Sequence, residues 1–421
     1  MLYYTQHNRR FAWGLTACDR TVRAYVYGPD TIWPSTDINV TTAAGRQTFI
    51  SLLVDWSLCS VDCLGFDPSI RYASDGVSGR PYLEIDIHKK DESTGKVATR
   101  TCFSNRCTVA ADGLIGRHTR HFAASASIRA MDDPAVLIKD VWLPLNSDNS
   151  GMAHNENAIL DTLYATFDSD SEFEDKFPQL LSTGPVYLCH GDKFVEDTTA
   201  RTFAGLPDFH CNALAASASG PQSSLGRQHT HTVVKWAGDT ISMADNPSNA
   251  VIAIADAMAA LTAAHGKCNV VHGNITDRAI LFRKTADGGV NGTLTEFGSA
   301  IYTGNNASAA NRNKPEQMTF RSIRSLENAA APLTPLDDWE SLFYLVCWLG
   351  TYGVGDEERA AIAKKVPVNR NIASWRRGSE YYLALAKRNQ MSSMDNFGMN
   401  ILVWMREGPM RDLAIDLYKA L

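Results

Sequence analysis

The sequence predicts an α+β fold in which a β-rich N-terminal half precedes a helical C-terminal half. Three observations carry that prediction. Segments such as "RRFAWGLTAC", "TVRAYVYG", "PYLEIDIH" and "AVLIKDVWL" crowd the first third of the chain and alternate as strands do. Two long apolar segments, "SNAVIAIADAMAALTAAHGK" and "PLDDWESLFYLVCWLGTYG", exceed strand length and read as helices. Between them, "AILFRK" and "NGTLTEF" flank Asp287-Gly288-Gly289 and read as a hairpin.

The elements follow in order. Residues 9–28 read as two short strands about a turn at Asp19-Arg20. Residues 46–64 have helical spacing, with Phe49, Leu52, Leu53, Trp56 and Leu58 crowding one side. In the strand at 81–88, Glu84 and Asp86 share a face; such a pair can bind a metal but is more often solvated. "DGLIGRHTRHFAASAS" reads as strand, turn, strand, and "MAHNENAILDTLYATF" as a helix burying Ile159, Leu160, Leu163 and Phe167. Residues 168–175 are acidic and expected to be exposed. Residues 190–228, rich in Ala, Ser and Gly, read as a long loop or insertion, and "HTVVKWAG" as a strand. In the helix that follows, Ser248 is the expected N-cap and Ile252, Ala255, Met258, Ala259 and Leu261 the buried stripe. Residues 303–316 read as loop, the segment beginning at Pro335 as a helix buried on most sides, and the C-terminal remainder as amphipathic helices.

A length of 421 residues suits two or three domains or one large two-lobed unit. The net charge of −6, with no long basic run, argues against nucleic acid or an anionic membrane as partner. The N-terminus lacks the apolar core of a signal peptide, and nowhere do eighteen apolar residues run together. An intracellular protein, in cytoplasm or nucleus, is therefore expected. Nine cysteines is an odd count. Cys59, Cys63, Cys102 and Cys107 lack CxxC spacing, so reduced thiols are expected rather than zinc.

The stretch "VVHGNITDRAIL", residues 270–281, has the cadence of a protein-kinase catalytic loop, H-R-D-x-x-x-x-N followed by an apolar strand. It does not stand alone. "LIGRHTRHFAA" occupies the place of a glycine-rich loop, "VLIKDVW" that of a lysine-bearing strand, and "NENAIL" that of the first large helix. "HTVVKWAGDTI" falls at the hinge, and "MTFRSIRSL" with "TPLDDWESLFYLVCWL" at the end of the activation segment and the central helix. In this ordered series, with "RRFAWGLTACDRTVRAYVYG" and "LGFDPSI" as an N-terminal extension, the chain resembles the fungal-type protein kinase domain family over most of residues 9–350. The resemblance implies a bilobal protein-kinase-like fold with a small α/β N-terminal extension. It implies three parts: 1–108 as the extension, 109–237 as the N-lobe with its insertion near 190–228, and 238–421 as the helical C-lobe.

Carried over position by position, Lys139 matches the nucleotide-phosphate lysine and Glu156 its helix partner. His272 matches the catalytic-loop histidine, and Asp338 the buried aspartate that holds that loop's backbone. The departures fall on the chemistry. Gly116 is kept, but His118 and His121 stand where the second and third glycines belong, and close approach of backbone to phosphate needs glycine. The base position is Asn274, whose amide cannot take a proton from a hydroxyl; losing a positioned base costs ~10²–10⁴ in rate. The second metal-holding position is Ala279, with no ligand atom. Glu296 replaces the metal-binding aspartate; its extra methylene displaces the oxygens by about an ångström, enough for a ~10²-fold loss. Asp277, three residues after Asn274, is the candidate substitute base should the loop be re-routed.

The resemblance therefore implies a pseudokinase, a binding or regulatory scaffold whose partner is another protein, with ATP and Mg²⁺ as candidate ligands at Gly116, Lys139, Glu156 and Glu296. The alternative is a divergent ATP-dependent kinase acting on Ser/Thr through Glu296, one Mg²⁺ and Asp277. A third reading places a nuclease-like metal site at Glu84 and Asp86, against which the lack of a basic groove weighs.

Overall fold

The computed structural model describes residues 6–109, 116–145, 155–167, 170–173, 175–190, 193–204, 226–303, 318–328, 330–355, 359–360, 370–376 and 378–421. Two compact units emerge, Met1–Ala153 with Leu180–Trp236, and His154–Gln179 with Ala237–Leu421. The first is β-rich and the second largely helical, an α+β composition.

Unit 1 opens on the expected hairpin, β1 (Ala12–Cys18) and β2 (Thr21–Tyr27), paired from Ala12↔Tyr27 to Cys18↔Thr21. Asp19 takes φ 54, the left-handed conformation that a two-residue hairpin turn demands and that Asp tolerates. Val22, Ala24 and Val26 of β2 are buried in strict alternation. Strands β3 (Ile32–Pro34) and β4 (Ile38–Asn39) complete this sheet. Helix α1 (Ala43–Leu58) starts at Thr42, whose hydroxyl accepts the Gly45 N–H. Phe49, Leu52 and Trp56 are half-buried, and the Trp56 ring lies 5.4 Å from Trp13. Leu53 and Leu58 of the expected stripe face solvent, as do Ile50 and Val54, and no α1 residue is fully buried.

A second, seven-stranded antiparallel sheet forms the rest of the unit's core. Its order is β10 (Leu180–Pro185), β13 (Arg227–Lys235), β9 (Val136–Pro144), β8 (Arg120–Ser125), β7 (Val97–Val109), β6 (Pro81–Lys90) and β5 (Ile70–Ser74). One apolar cluster draws on six of these strands, with Ile70, Leu83, Ile85, Cys102, Phe122, Ile138 and Val233 among its members, so the sheet curls around it. The suggested boundary at 108/109 falls at the end of β7. Because β7 pairs with β8, residues on both sides of it share one sheet. A small hairpin, β11 (Tyr187–His190) and β12 (Lys193–Glu196), precedes the helical turn Thr199–Thr202. These occupy part of the expected 190–228 loop, whose residues 205–225 lie outside the described residues, as do 110–115 of the first strand expected near 110.

Unit 2 begins with α2 (Asn155–Phe167), which buries Ile159, Leu160, Leu163 and Phe167 as the spacing predicts. Strand β14 (Asp239–Thr240) leads to α3 (Pro247–Cys268). The N-cap of α3 is Asn246, not Ser248: its side chain accepts the Asn249 N–H, and Pro247 fills the first helical position. The buried face is also rotated from the expected stripe. It consists of Ala250, Ala253, Ile254, Ala257, Ala260, Leu261 and Ala264, while Ile252 is 47% exposed. Small side chains are needed there because a strand crosses closely; a Cβ on Gly292 would lie 2.1 Å from the Ala253 carbonyl oxygen. By length and composition α3 is apolar enough to cross a membrane, yet its alanine face is packed inside this unit.

After α3 come β15 (Val270–Val271), the hairpin β16 (Ile280–Lys284) and β17 (Val290–Leu294), and β18 (Ile301–Tyr302), which pairs with β15. The loop expected at 303–316 lies, but for Thr303, outside the described residues. Helices α4 (Ile323–Glu327), α5 (Pro335–Tyr352), α6 (Glu380–Gln390), α7 (Met394–Asn400) and α8 (Pro409–Ala420) follow. Helix α5 is closed by a capping box between Thr334 and Asp337 and buries Leu342 through Cys347.

Lys387 of α6 is fully buried. Its amine donates to the Arg321 carbonyl at 2.5 Å and lies 3.8 Å from the centre of the Tyr344 ring. Burial holds its pKa well below the usual lysine value; Glu340 opposes that shift and Arg321 adds to it. The unfolded chain therefore binds a proton that the folded chain lacks between this depressed pKa and the ordinary lysine value. Stability is expected to rise with pH through that window, by about 1.4 kcal/mol per unit, and to level off below it. Urea titrations across the alkaline range should show this slope in the native chain and its loss in Lys387→Met.

Candidate catalytic centre

In unit 2 the loop between β15 and β16 is organised by one carboxylate. Asp338, in the first turn of α5, accepts the His272 N–H and the Gly273 N–H, each at 2.7 Å, and contacts His265 Nε2 at 2.8 Å. His272 is buried, and its Nε2 lies 2.7 Å from the Thr295 carbonyl oxygen while its Nδ1 accepts the Asn274 N–H at 3.3 Å. One ring nitrogen donates and the other accepts, which is the pattern of a neutral imidazole. Burial pushes its pKa down, against Asp338, Glu296 and Glu156. The ring packs edge-on against Phe297 at 4.8 Å. His272 is therefore a structural member of this loop.

Gly273 stands where a kinase loop has arginine. Its φ is 74, and a Cβ would meet Leu333 Cδ1 at 2.8 Å and the Ser299 carbonyl oxygen at 3.0 Å. Asn274 is half-buried and its side chain is a neutral amide. Ala279 is wholly buried, its backbone tied to Thr276 and Thr295. Glu296 sits at φ 68, ψ 45, in left-handed conformation, immediately before the buried Phe297. Glu156 lies in the first turn of α2, where the helix dipole favours a negative charge.

Asp277 is half-buried in the turn before β16, and not the fully solvated carboxylate that loop position suggests. Burial raises its pKa, against the pull of Arg278 and Arg359. The charges that bear on His272 are those of Asp338, Glu296 and Glu156, so the two groups sense different neighbours.

The residues present do not fit a two-ion magnesium site. Ala279, at the second metal-holding position, contributes only a methyl group, which leaves Glu296 as the one ligand of the usual pair.

In unit 1, Lys139 of β9 is buried and pairs in register with His121 of β8 and Thr232 of β13, on one face of the sheet. Gly116 adopts φ 132, and His118, standing for the second glycine, adopts φ 48. The loop thus keeps a backbone conformation that favours glycine at a position where histidine now stands, at a cost of roughly 1–2 kcal/mol. His118 and His121 are both buried.

The opposite face of the same strands carries residues that sequence reasoning did not single out. Arg120, Asp140 and His231 are register partners, and His229 lies two residues away on β13. All four are buried. Arg120 Nη2 donates to Asp140 Oδ1 at 2.7 Å. His229 lies between Asp197, 3.0 Å from Nδ1, and Asp140, 3.1 Å from Nε2, with Trp142 stacked on its ring at 4.6 Å. Burial would lower the His229 pKa, but Asp140 and Asp197 outweigh it and push it to about 10 when both nitrogens carry protons. The available signal was the His-x-His pair at 229 and 231, which on a strand directs both rings to one face.

The other sequence candidates do not assemble a centre. Glu84 and Asp86 share a face as expected, but Arg71 bridges them, at 3.3 Å to Glu84 and 2.6 Å to Asp86. Burial would raise the Asp86 carboxyl; the Arg71 guanidinium and the Thr101 hydroxyl outweigh it and hold it below the usual range. Cys59, Cys63, Cys102 and Cys107 are free thiols. Burial pushes the Cys107 thiol up to about 11, and Cys102 lies within the apolar interior of the curled sheet.

A β-rich unit with a buried lysine on its third paired strand, and a helical unit whose central helix aspartate clasps a His-containing loop, define a protein-kinase-like fold. Residues 1–166 and 167–350 match the model of the family described as fungal protein kinase, and the chain belongs to that family. Among solved structures, one similar to it is vaccinia related kinase 3, at 12% identity and a TM-score of 0.37, covering 89% of this chain and 95% of that one; the likeness is too weak to bear on function. Comparison with curated proteins gives no match.

Proposed function

We propose that this chain is a catalytically impaired member of its family that works by binding another protein, with nucleotide as a gating ligand. The observation that supports it most is the pairing of Asn274 at the base position with the wholly buried methyl of Ala279. Phosphoryl transfer depends on alignment and on neutralising charge, and both positions that would serve it lack the necessary atoms. The solvent side of α1, where Ile50, Val54 and Leu58 are exposed, supports a protein-binding role. The second reading, a divergent kinase acting on Ser/Thr, draws support from the raised pKa of Asp277, which brings that carboxyl nearer to a useful base strength.

Transfer of radiolabelled phosphate from ATP to a mixture of protein acceptors separates the two. The expected rate equals that of a Lys139→Ala control shown to be folded by its circular dichroism. Transfer that exceeds this control and falls ~10²-fold or more in Asp277→Asn establishes the enzyme instead. For gating, the expected result is a rise in Tm with ATP alone that Lys139→Ala abolishes. A rise that requires Mg²⁺ and disappears in Glu296→Ala favours the kinase reading.

A further inference from the structure

The charged cluster inside the curled sheet of unit 1 is built in a way that hydrogen bonding alone does not explain. Asp140 and Asp67 each have one carboxylate oxygen held from outside the cluster's imidazoles. Asp140 Oδ1 accepts Arg120, and Asp67 Oδ1 accepts the Ser69 N–H at 2.9 Å and the Ser69 hydroxyl at 2.6 Å. The other oxygen of each faces the same imidazole nitrogen: Asp140 Oδ2 lies 3.1 Å and Asp67 Oδ2 3.8 Å from His229 Nε2. Asp67 Oδ2 is buried and has no hydrogen-bond partner. His231 Nε2 lies 3.2 Å from the same Asp140 Oδ2, and suitable donor atoms of Asp140, His229 and His231 all fall within 4.8 Å of one another.

We propose that unit 1 holds a structural zinc ion, with Asp67 Oδ2, Asp140 Oδ2, His229 Nε2 and His231 Nε2 as its four ligands. Zinc bonds to nitrogen and oxygen of about 2.0–2.2 Å place tetrahedral donors about 3.3–3.6 Å apart. The Asp140–His229 and Asp140–His231 spacings of 3.1 and 3.2 Å approach this, and Asp67 Oδ2, 3.8 Å from His229 Nε2 but outside the trio whose donors lie within 4.8 Å of one another, completes the set by a small shift toward it. The surrounding shell suits it. Asp197 at His229 Nδ1 fixes the tautomer that turns the Nε2 lone pair inward, and Ser69 and Arg120 orient the two carboxylates. Two imidazoles and two carboxylates favour zinc over calcium or magnesium, which take oxygen ligands. On binding, His229 Nε2 releases its proton, and the ion forms bonds to two nitrogens and two oxygens. All four positions are filled by protein, so the site is closed and its role is to tie the segment before β5 to β9 and β13. Among the described residues Asp140, His229 and His231 are the one trio of such donors this close together. The inference concerns unit 1 alone and does not depend on whether the chain transfers phosphate.

The full chain, purified from zinc-supplemented growth without a metal-chelating step, is expected to hold about one zinc per molecule by elemental analysis. His231→Gln and Asp67→Asn should each lower that to near zero, while Glu84→Gln should leave it unchanged. Cobalt exchanged into the intact native chain should give the visible absorption of a tetrahedral site, which does not depend on any variant folding. A native chain that neither retains zinc nor takes up added zinc or cobalt overturns the proposal and leaves His229 as a protonated bridge. Zinc held equally by native chain and by folded His231→Gln and Asp67→Asn variants overturns it too, since the metal then sits elsewhere.

Discussion

Replacing Asp338 by alanine is expected to cost the chain about 3–5 kcal/mol, because one buried and one half-buried backbone N–H group and His265 lose one shared acceptor. The N–H groups are those of His272 and Gly273, both at 2.7 Å, and the loop gives them no other partner among the described hydrogen bonds. Each unsatisfied donor costs about 1–3 kcal/mol, whereas a surface aspartate removed from α5 would change little. Asp338→Asn keeps one carbonyl oxygen and turns an amide NH2 toward the other donor, so a smaller loss of about 2 kcal/mol is expected. Denaturant midpoints at constant slope measure both. Hydrogen exchange at the amides of His272 and Gly273 should accelerate selectively in the alanine variant. A loss under about 1 kcal/mol would mean the loop is held by something other than this carboxylate.

The second large effect is at the neighbouring glycine. Restoring the kinase arginine by Gly273→Arg is expected to destabilise by about 3 kcal/mol or more, through a left-handed backbone and a Cβ pressed on the Ser299 carbonyl and Leu333. Asn274→Asp beside it should cost under about 1 kcal/mol, since that side chain is half-buried and the change is isosteric. Melting temperatures of the two single variants and the double test the contrast. Equal melting of Gly273→Arg and the native chain would sink the steric account. The altered loop thus differs from a kinase loop in backbone as well as in side chains.

Much of this was legible in the sequence because local pattern and chemistry agreed. The β1–β2 hairpin, α2 with its four buried apolar residues, and α5 followed from spacing alone. Asp338 followed from an ordered run of motifs. The face of α3 did not, because alanine lies on every side of it. The large residues Ile252 and Met258 drew attention away from the face that a close strand at Gly292 selects for smallness. The solvent side of α1 was misjudged because apolar spacing says that a stripe exists, not how wide its cover is. The cluster around His229 joins Asp67, Arg120, Asp140, Asp197 and His231, which come from well-separated parts of the chain, and no short window contains it. Its members look like scattered surface charges until the strands curl and put them inside.

The left-handed backbone at Glu296 makes exchange among these motifs directional. Aspartate accepts that conformation more readily than glutamate does. A shortening at 296 would therefore relax the chain while moving the carboxylate back toward magnesium. At Ala279 the reverse holds, since any side chain long enough to grip a metal must force its way into a filled interior. Substitutions that would place a metal ligand at 296 and at 279 thus differ in cost. The backbone at 296 accommodates a shorter carboxylate, whereas the surroundings of 279 leave no room for one.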